Sequence, residues 1–109
     1  MMTAQQLANI LGAIPGFDDR VAMNSFPEGE APELPWIVYR QTSANRFLAD
    51  NRVYYNSPVF VIELYTEAKS PDTEKTLESA LASAELIWTK EEEYLDSERC
   101  YMVTYTATF

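Results

Sequence analysis

The stretch SFPEGEAPELPWIVYRQ, residues 25–41, sets Pro27, Pro32 and Pro35 directly before an aromatic and aliphatic run. Proline fixes φ and has no N–H to give to a ladder, so this segment cannot enter a sheet interior until the chain has passed Pro35. It divides the chain into a short N-terminal unit and a longer body. Glu28-Gly29 supplies a tight turn, and Glu30 and Glu33 keep the exposed loop soluble. Such a stretch either handles a ligand or steers the chain between two strands. Its stiffness favours steering, as a rigid crossover that delivers Trp36 to a sheet.

The flanking segments carry clear periodicities. Thr3 and Gln6 have the spacing of a capping box, and Met2 is placed to staple onto Leu7. Leu7, Ile10, Leu11 and Ile14 recur at helical spacing until Gly12, Pro15 and Gly16 end the element. Residues 18–26 read as a short strand with Val21 and Met23 on one face. In 36–41, Ile37 and Tyr39 lie on one face and Trp36 and Val38 on the other, as in a central strand. Residues 42–56 are polar, with Asn45, Asn51 and Asn56 as turn formers, and read as a long hairpin or protruding arm. VFVIELYT, 59–66, is the strongest β signal in the chain.

A second helix follows. Ser70 suits the N-cap, Pro71 the first helical position, and Asp72 and Glu74 complement the helix dipole. Leu77, Ala80, Leu81, Ala84 and Trp88 form one stripe at 3.6-residue spacing. Residues 89–95 and 99–109 then read as a hairpin turning through Asp96, Ser97 and Glu98. In its last strand Tyr101, Val103, Tyr105, Ala107 and Phe109 alternate with Cys100, Met102, Thr104, Thr106 and Thr108. One face is therefore buried and the other largely hydroxylated. The order α-β-β-β-α-β-β predicts an α+β fold, a small antiparallel or mixed β-sheet packed by two helices, as one domain over 1–109.

Composition narrows the chemistry. There is no histidine, and Cys100 is the only cysteine, which removes the usual zinc sets, the Cys-His pair and the Ser-His-Asp triad. Ser25, Ser43 and Ser57 lack a base, and three glycines make no phosphate loop. Cys100, without a partner base, reads as an unreactive thiol. No signal-peptide pattern or membrane-length apolar run is present, so a reducing cytoplasm is the expected site of folding. A net charge of −9 opposes binding to a phosphate backbone.

That charge is uneven. Residues 36–62 hold Arg40, Arg46 and Arg52 against Asp50, for +2, whereas 63–98 hold eleven acids against Lys69, Lys75 and Lys90, for −8. Glu91, Glu92 and Glu93 alternate faces if they lie on a strand, so they do not converge on one ion. They read as a solvated edge. Arg46, Phe47, Arg52, Tyr54 and Tyr55 have the composition of a protein interface, and a plain surface hairpin fits them equally well.

Four segments, FPEGEAPELPWIVY, VFVIELYTE, SPDTEKTLESAL and EEEYLDSERCYMVTYTATF, resemble the tail-terminator, or tail-completion, proteins of long-tailed bacteriophages, especially those of Gram-positive hosts and their prophages. The likeness runs from about Thr3 to Phe109, and its motifs are structural, not catalytic. It implies a small α+β fold, a hexameric ring on the head-proximal end of the tail tube, no cofactor and no catalysed reaction. The implied partners are further copies of the chain, the tail-tube protein and the head connector, in the virion after assembly in the host cytoplasm. On that reading Arg46, Phe47, Arg52, Tyr54 and Tyr55 meet the acidic half of the next subunit, and Glu91, Glu92 and Glu93 face a channel or an interface. Head-completion proteins of the same virion, a small acidic inhibitor of a basic partner and an enzyme using carboxylates alone are the alternatives.

Overall fold

The computed structural model describes residues 3–42, 48–49, 52–53 and 59–108, with 48–49 and 52–53 as backbone. Helix α1 spans Ala4–Gly12, and strands β1 and β2 span Val21–Met23 and Trp36–Thr42. A short pair follows, β3 at Leu48–Ala49 and β4 at Arg52–Val53, before β5 at Val59–Thr66. Helix α2 covers Pro71–Ser83, and β6 at Ile87–Leu95 and β7 at Cys100–Thr108 complete the chain. The main sheet has the order β1-β2-β5-β7-β6, and β3-β4 form a separate pair. β1 runs parallel to β2, whereas every other neighbour in the main sheet is antiparallel. The α+β fold with a mixed sheet is the one the periodicities predict.

Each element follows from local chemistry. The capping box of α1 is formed in both directions, Gln6 N–H to Thr3 Oγ1 at 3.1 Å and Thr3 N–H to Gln6 Oε1 at 2.7 Å. At α2, Ser70 stands at the N-cap but its hydroxyl makes no capping bond and meets Thr73 Oγ1 at 2.7 Å instead. The proposed Met2 staple lies outside the described residues.

Both helices cover one face of the sheet. Leu7 and Leu11 of α1 and Leu77 and Leu81 of α2 meet Ile37, Ile62, Leu64, Val103 and Tyr105 in one buried cluster. Burying a side chain of this size contributes about 1.5–3 kcal/mol, so this face supplies most of the driving force. The register places Ile37 opposite Leu64 and Ile62 opposite Tyr105, which fixes that set toward the helices.

Two boundaries differ from the sequence expectation. The first strand is only Val21–Met23: Arg20 closes a turn onto Phe17 O at 3.2 Å, and Asn24 leaves the strand with φ +67. The second helix stops at Ser83, and Trp88 lies in β6, not on the helical stripe. Glu85, at φ +63, takes the left-handed position after the helix, with its N–H on Ala82 O at 2.9 Å and Leu86 N–H on Leu81 O at 3.1 Å. These two bonds satisfy the last carbonyls, and Leu86 is buried with Leu81 beneath them.

The proline stretch is the crossover. Residues 24–35 join two parallel neighbours, β1 and β2, a link that needs about a dozen residues and here contains no helix. Gly29, φ +79, sits at the third position of a turn closed by Glu30 N–H on Pro27 O at 2.9 Å. Arg20 ties down the far end, its Nη1 donating to Glu33 O and, at 3.5 Å, to Pro35 O.

Candidate functional site

The crossover does more than steer. It folds over one end of the sheet face that the helices leave uncovered, and a cleft of about 340 Å³ opens between them. Trp36 anchors the cleft, packed edge-on against Phe26 at 5.7 Å between ring centroids and tilted against Tyr65 at 5.8 Å. The pairing of Trp36 with Tyr65 is set by register, since the two stand opposite one another on β2 and β5. Leu34 and Val38 add apolar wall, while Glu63 and Glu98 bring carboxylates. All three aromatic rings are only partly buried.

Cys100 also lines this cleft and is 4% exposed. The sequence puts it on the hydroxylated face of β7, which is where it lies, but the crossover covers it. Burial, and then the Glu98 carboxylate, push its thiol up, which suppresses the thiolate and with it nucleophilic chemistry. Tyr65 is held up to about 12 by burial, with Glu63, Glu98 and Cys100 adding to the effect.

A second constellation ties α2 to the β6-β7 hairpin. Glu74 is 3% exposed and lies 2.6 Å from Lys90 Nζ through Oε1, which also accepts from Lys69 Nζ at 2.9 Å. Its Oε2 is 2.9 Å from the same Lys69 Nζ but off the line of a hydrogen bond, so charge and not a directed bond compensates it. Lys90 donates to Glu78 at 2.8 Å, and Tyr105 Oη donates to the same oxygen at 2.8 Å. Lys69 further bonds Glu92, which accepts from Tyr101 Oη at 2.9 Å.

This cluster holds carboxylates ionised. The bonds from Lys69 and Tyr101 keep Glu92 below the usual carboxylate range. At Glu78 burial pushes upward, but the bonds from Lys90 and Tyr105 outweigh it and the net shift is down. A general acid at neutral pH needs the opposite shift. The arrangement is a structural clamp, and among the described residues no group of three or more Cys, Asp or Glu side chains converges as a metal would require.

The residues singled out in the sequence fare differently. Glu91 and Glu93 stand opposite Thr104 and Met102 on the face away from α2, whereas Glu92, opposite Val103, turns to the helix side and joins the clamp. The three glutamates therefore do not form one acidic surface. β6 is an edge strand, as the solvated-edge reading expects, and all three are exposed. Arg52 opens β4 and pairs with Ala49. Arg46, Phe47, Tyr54 and Tyr55 lie outside the described residues.

Sequence reasoning missed the cleft because its walls come from Phe26, Trp36, Tyr65 and Cys100, which are far apart in the chain. The one available signal was the aromatic pair at the mouth of the proline stretch, Phe26 before it and Trp36 after it. No family model matches this chain, and no curated protein does.

Proposed function

We propose that this chain is a structural virion protein that forms a ring, a hexamer in the virion, capping the phage tail tube and joining it to the head connector. The similarity of four segments along nearly the whole chain supports this reading, and the α+β fold agrees with it. The observation that carries it is the excursion between β2 and β5. Thr42 and Val59 are ladder partners, so residues 43–58 leave and rejoin the sheet at one point, and β3-β4 form their own pair within that excursion.

The excursion holds Arg46 and Arg52 with Phe47, Tyr54 and Tyr55, on a chain of net charge −9. A basic, aromatic excursion on an acidic body gives each subunit two unlike surfaces, which is what a cyclic head-to-tail assembly uses.

The test is assembly. Purified protein mixed with tail tubes is expected to form rings at one tube end by electron microscopy, and Arg46→Glu with Arg52→Glu is expected to abolish them. Normal rings from the charge-reversed variant would overturn the role of the excursion. Binding to filled heads but never to tubes would move the protein to head completion.

A further inference from the structure

The cleft under the crossover has a chemistry that the ring reading does not use, and the inference drawn from it does not rest on that reading. Three of its walls are aromatic, Phe26, Trp36 and Tyr65, and ring faces attract cations through their quadrupoles. Glu63 and Glu98 lie in the same cleft, and among the described residues no lysine or arginine lines it. Neither carboxylate has an ion-pair partner among the described residues. The glutamates on the helix side of the sheet, Glu74, Glu78 and Glu92, are all answered by Lys69 or Lys90. The raised Tyr65 phenol reports the same negative surroundings, after burial.

Size and shape narrow the occupant. At about 340 Å³ the cleft lies at the small end of ligand sites, enough for one long side chain or a small organic cation. The carboxylates repel phosphate-bearing ligands. Aromatic walls with carboxylates suit guanidinium better than ammonium, because the planar fork stacks on a ring, pairs with a carboxylate and is more weakly hydrated. A net charge of −9 steers basic polypeptides toward this chain. The same sheet face continues beyond the cleft through Thr104, Thr106 and Thr89, with Glu91 beside Thr104 and the buried Val61 beside Thr106.

We propose that this cleft receives an arginine side chain presented by a partner polypeptide, its guanidinium stacked on Trp36 and Tyr65 and paired with Glu63 and Glu98.

The experiment uses the full chain with Trp88→Phe, which leaves Trp36 as the only indole. Titration with an acetylated Gly-Arg-Gly amide is expected to change the Trp36 fluorescence saturably, with a dissociation constant on the order of 1 mM. The same peptide with citrulline in place of arginine keeps the shape and loses the charge, and is expected to bind about tenfold more weakly. Glu63→Gln with Glu98→Gln is expected to remove the preference for arginine. Equal binding of the two peptides, or no saturable response to either, overturns the proposal, and neither result depends on the folding of a carboxylate variant. Argininamide alone binding as tightly as the peptide would assign the cleft to a free small cation and overturn the partner-borne source. Rings on tail tubes are scored separately, so either idea can fail without the other.

Discussion

The two faces of the sheet are closed by different means. The face under α1 and α2 is packed with Leu7, Leu11, Ile37, Ile62, Leu64, Leu77, Leu81 and Tyr105, and the ionic groups at its margin are paired. One end of the opposite face is roofed by a crossover without regular structure, and there Glu63 and Glu98 stand without ion-pair partners among the described residues. Helices remove water over a wide area, so whatever lies beneath them must be apolar, hydrogen-bonded or, as at Glu74, compensated by charge. A loop roof leaves water access, so carboxylates and partly exposed rings persist under it. The first face holds the fold together, and the second carries the cleft proposed to receive an arginine side chain.

The largest effect should come from breaking the closed face. Leu64→Ala is expected to cost about 2–5 kcal/mol in urea unfolding, because it opens a cavity in a fully buried cluster. Thr106→Ala, exposed on the other face of the same sheet, should stay within about 0.5 kcal/mol. Comparable losses at both positions would mean that the two faces are equally packed.

The clamp gives an intermediate effect with a defined pH dependence. Burial first, and then the bond to Glu78, raise Tyr105 above its ordinary 10.0, so the folded chain keeps this proton after the unfolded chain has lost it. The stabilisation is complete below about pH 10 and is lost as pH rises above it. Lys69 and Lys90 are raised by their glutamates and act in the same direction. Glu78 and Glu92 are lowered, so their contribution is present above their ordinary 4.5 and disappears as pH falls below it. Tyr105→Phe is expected to cost about 1 kcal/mol at neutral pH and to flatten the alkaline limb of a stability profile. An unchanged alkaline limb would remove Tyr105 from the clamp.

Effects of similar size or smaller lie at two left-handed residues, one within the roof and one at the end of α2. Gly29 holds φ +79 in the roof and has no neighbour within 4 Å of an added Cβ, so Gly29→Ala should cost about 1 kcal/mol from backbone strain alone. Glu85 holds φ +63 at the end of α2, where Glu85→Gly should gain about 0.5 kcal/mol by relieving the same strain. Thermal melts of the pair should move in opposite directions.

Much of the fold was legible because its signals are local. The capping box at Thr3 and Gln6, the β-rich run 59–66 and the alternation in 100–108 each state their structure within a few residues. The helix end was not, because Glu85 occupies a position that glycine usually marks, and Trp88 continues the helical spacing by coincidence after the chain has become a strand. The first strand was overextended for a similar reason. Polar residues on either side of Val21–Met23 carry no local stop, and the bonds from Arg20 O to Ile37 N–H and from Asn24 N–H to Tyr39 O that fix its ends are made across the sheet.

The sequence by itself determined the element types, the buried face of the last strand and the stiffness of the crossover, because periodicity and proline act over a few neighbouring residues. The tertiary structure alone decided that Glu92 leaves its two neighbours to join Lys69, and that Phe26, Trp36, Tyr65, Cys100 and two carboxylates share a cleft. Both depend on which strands become neighbours and on where the crossover comes to rest, and these follow from the packing of distant segments.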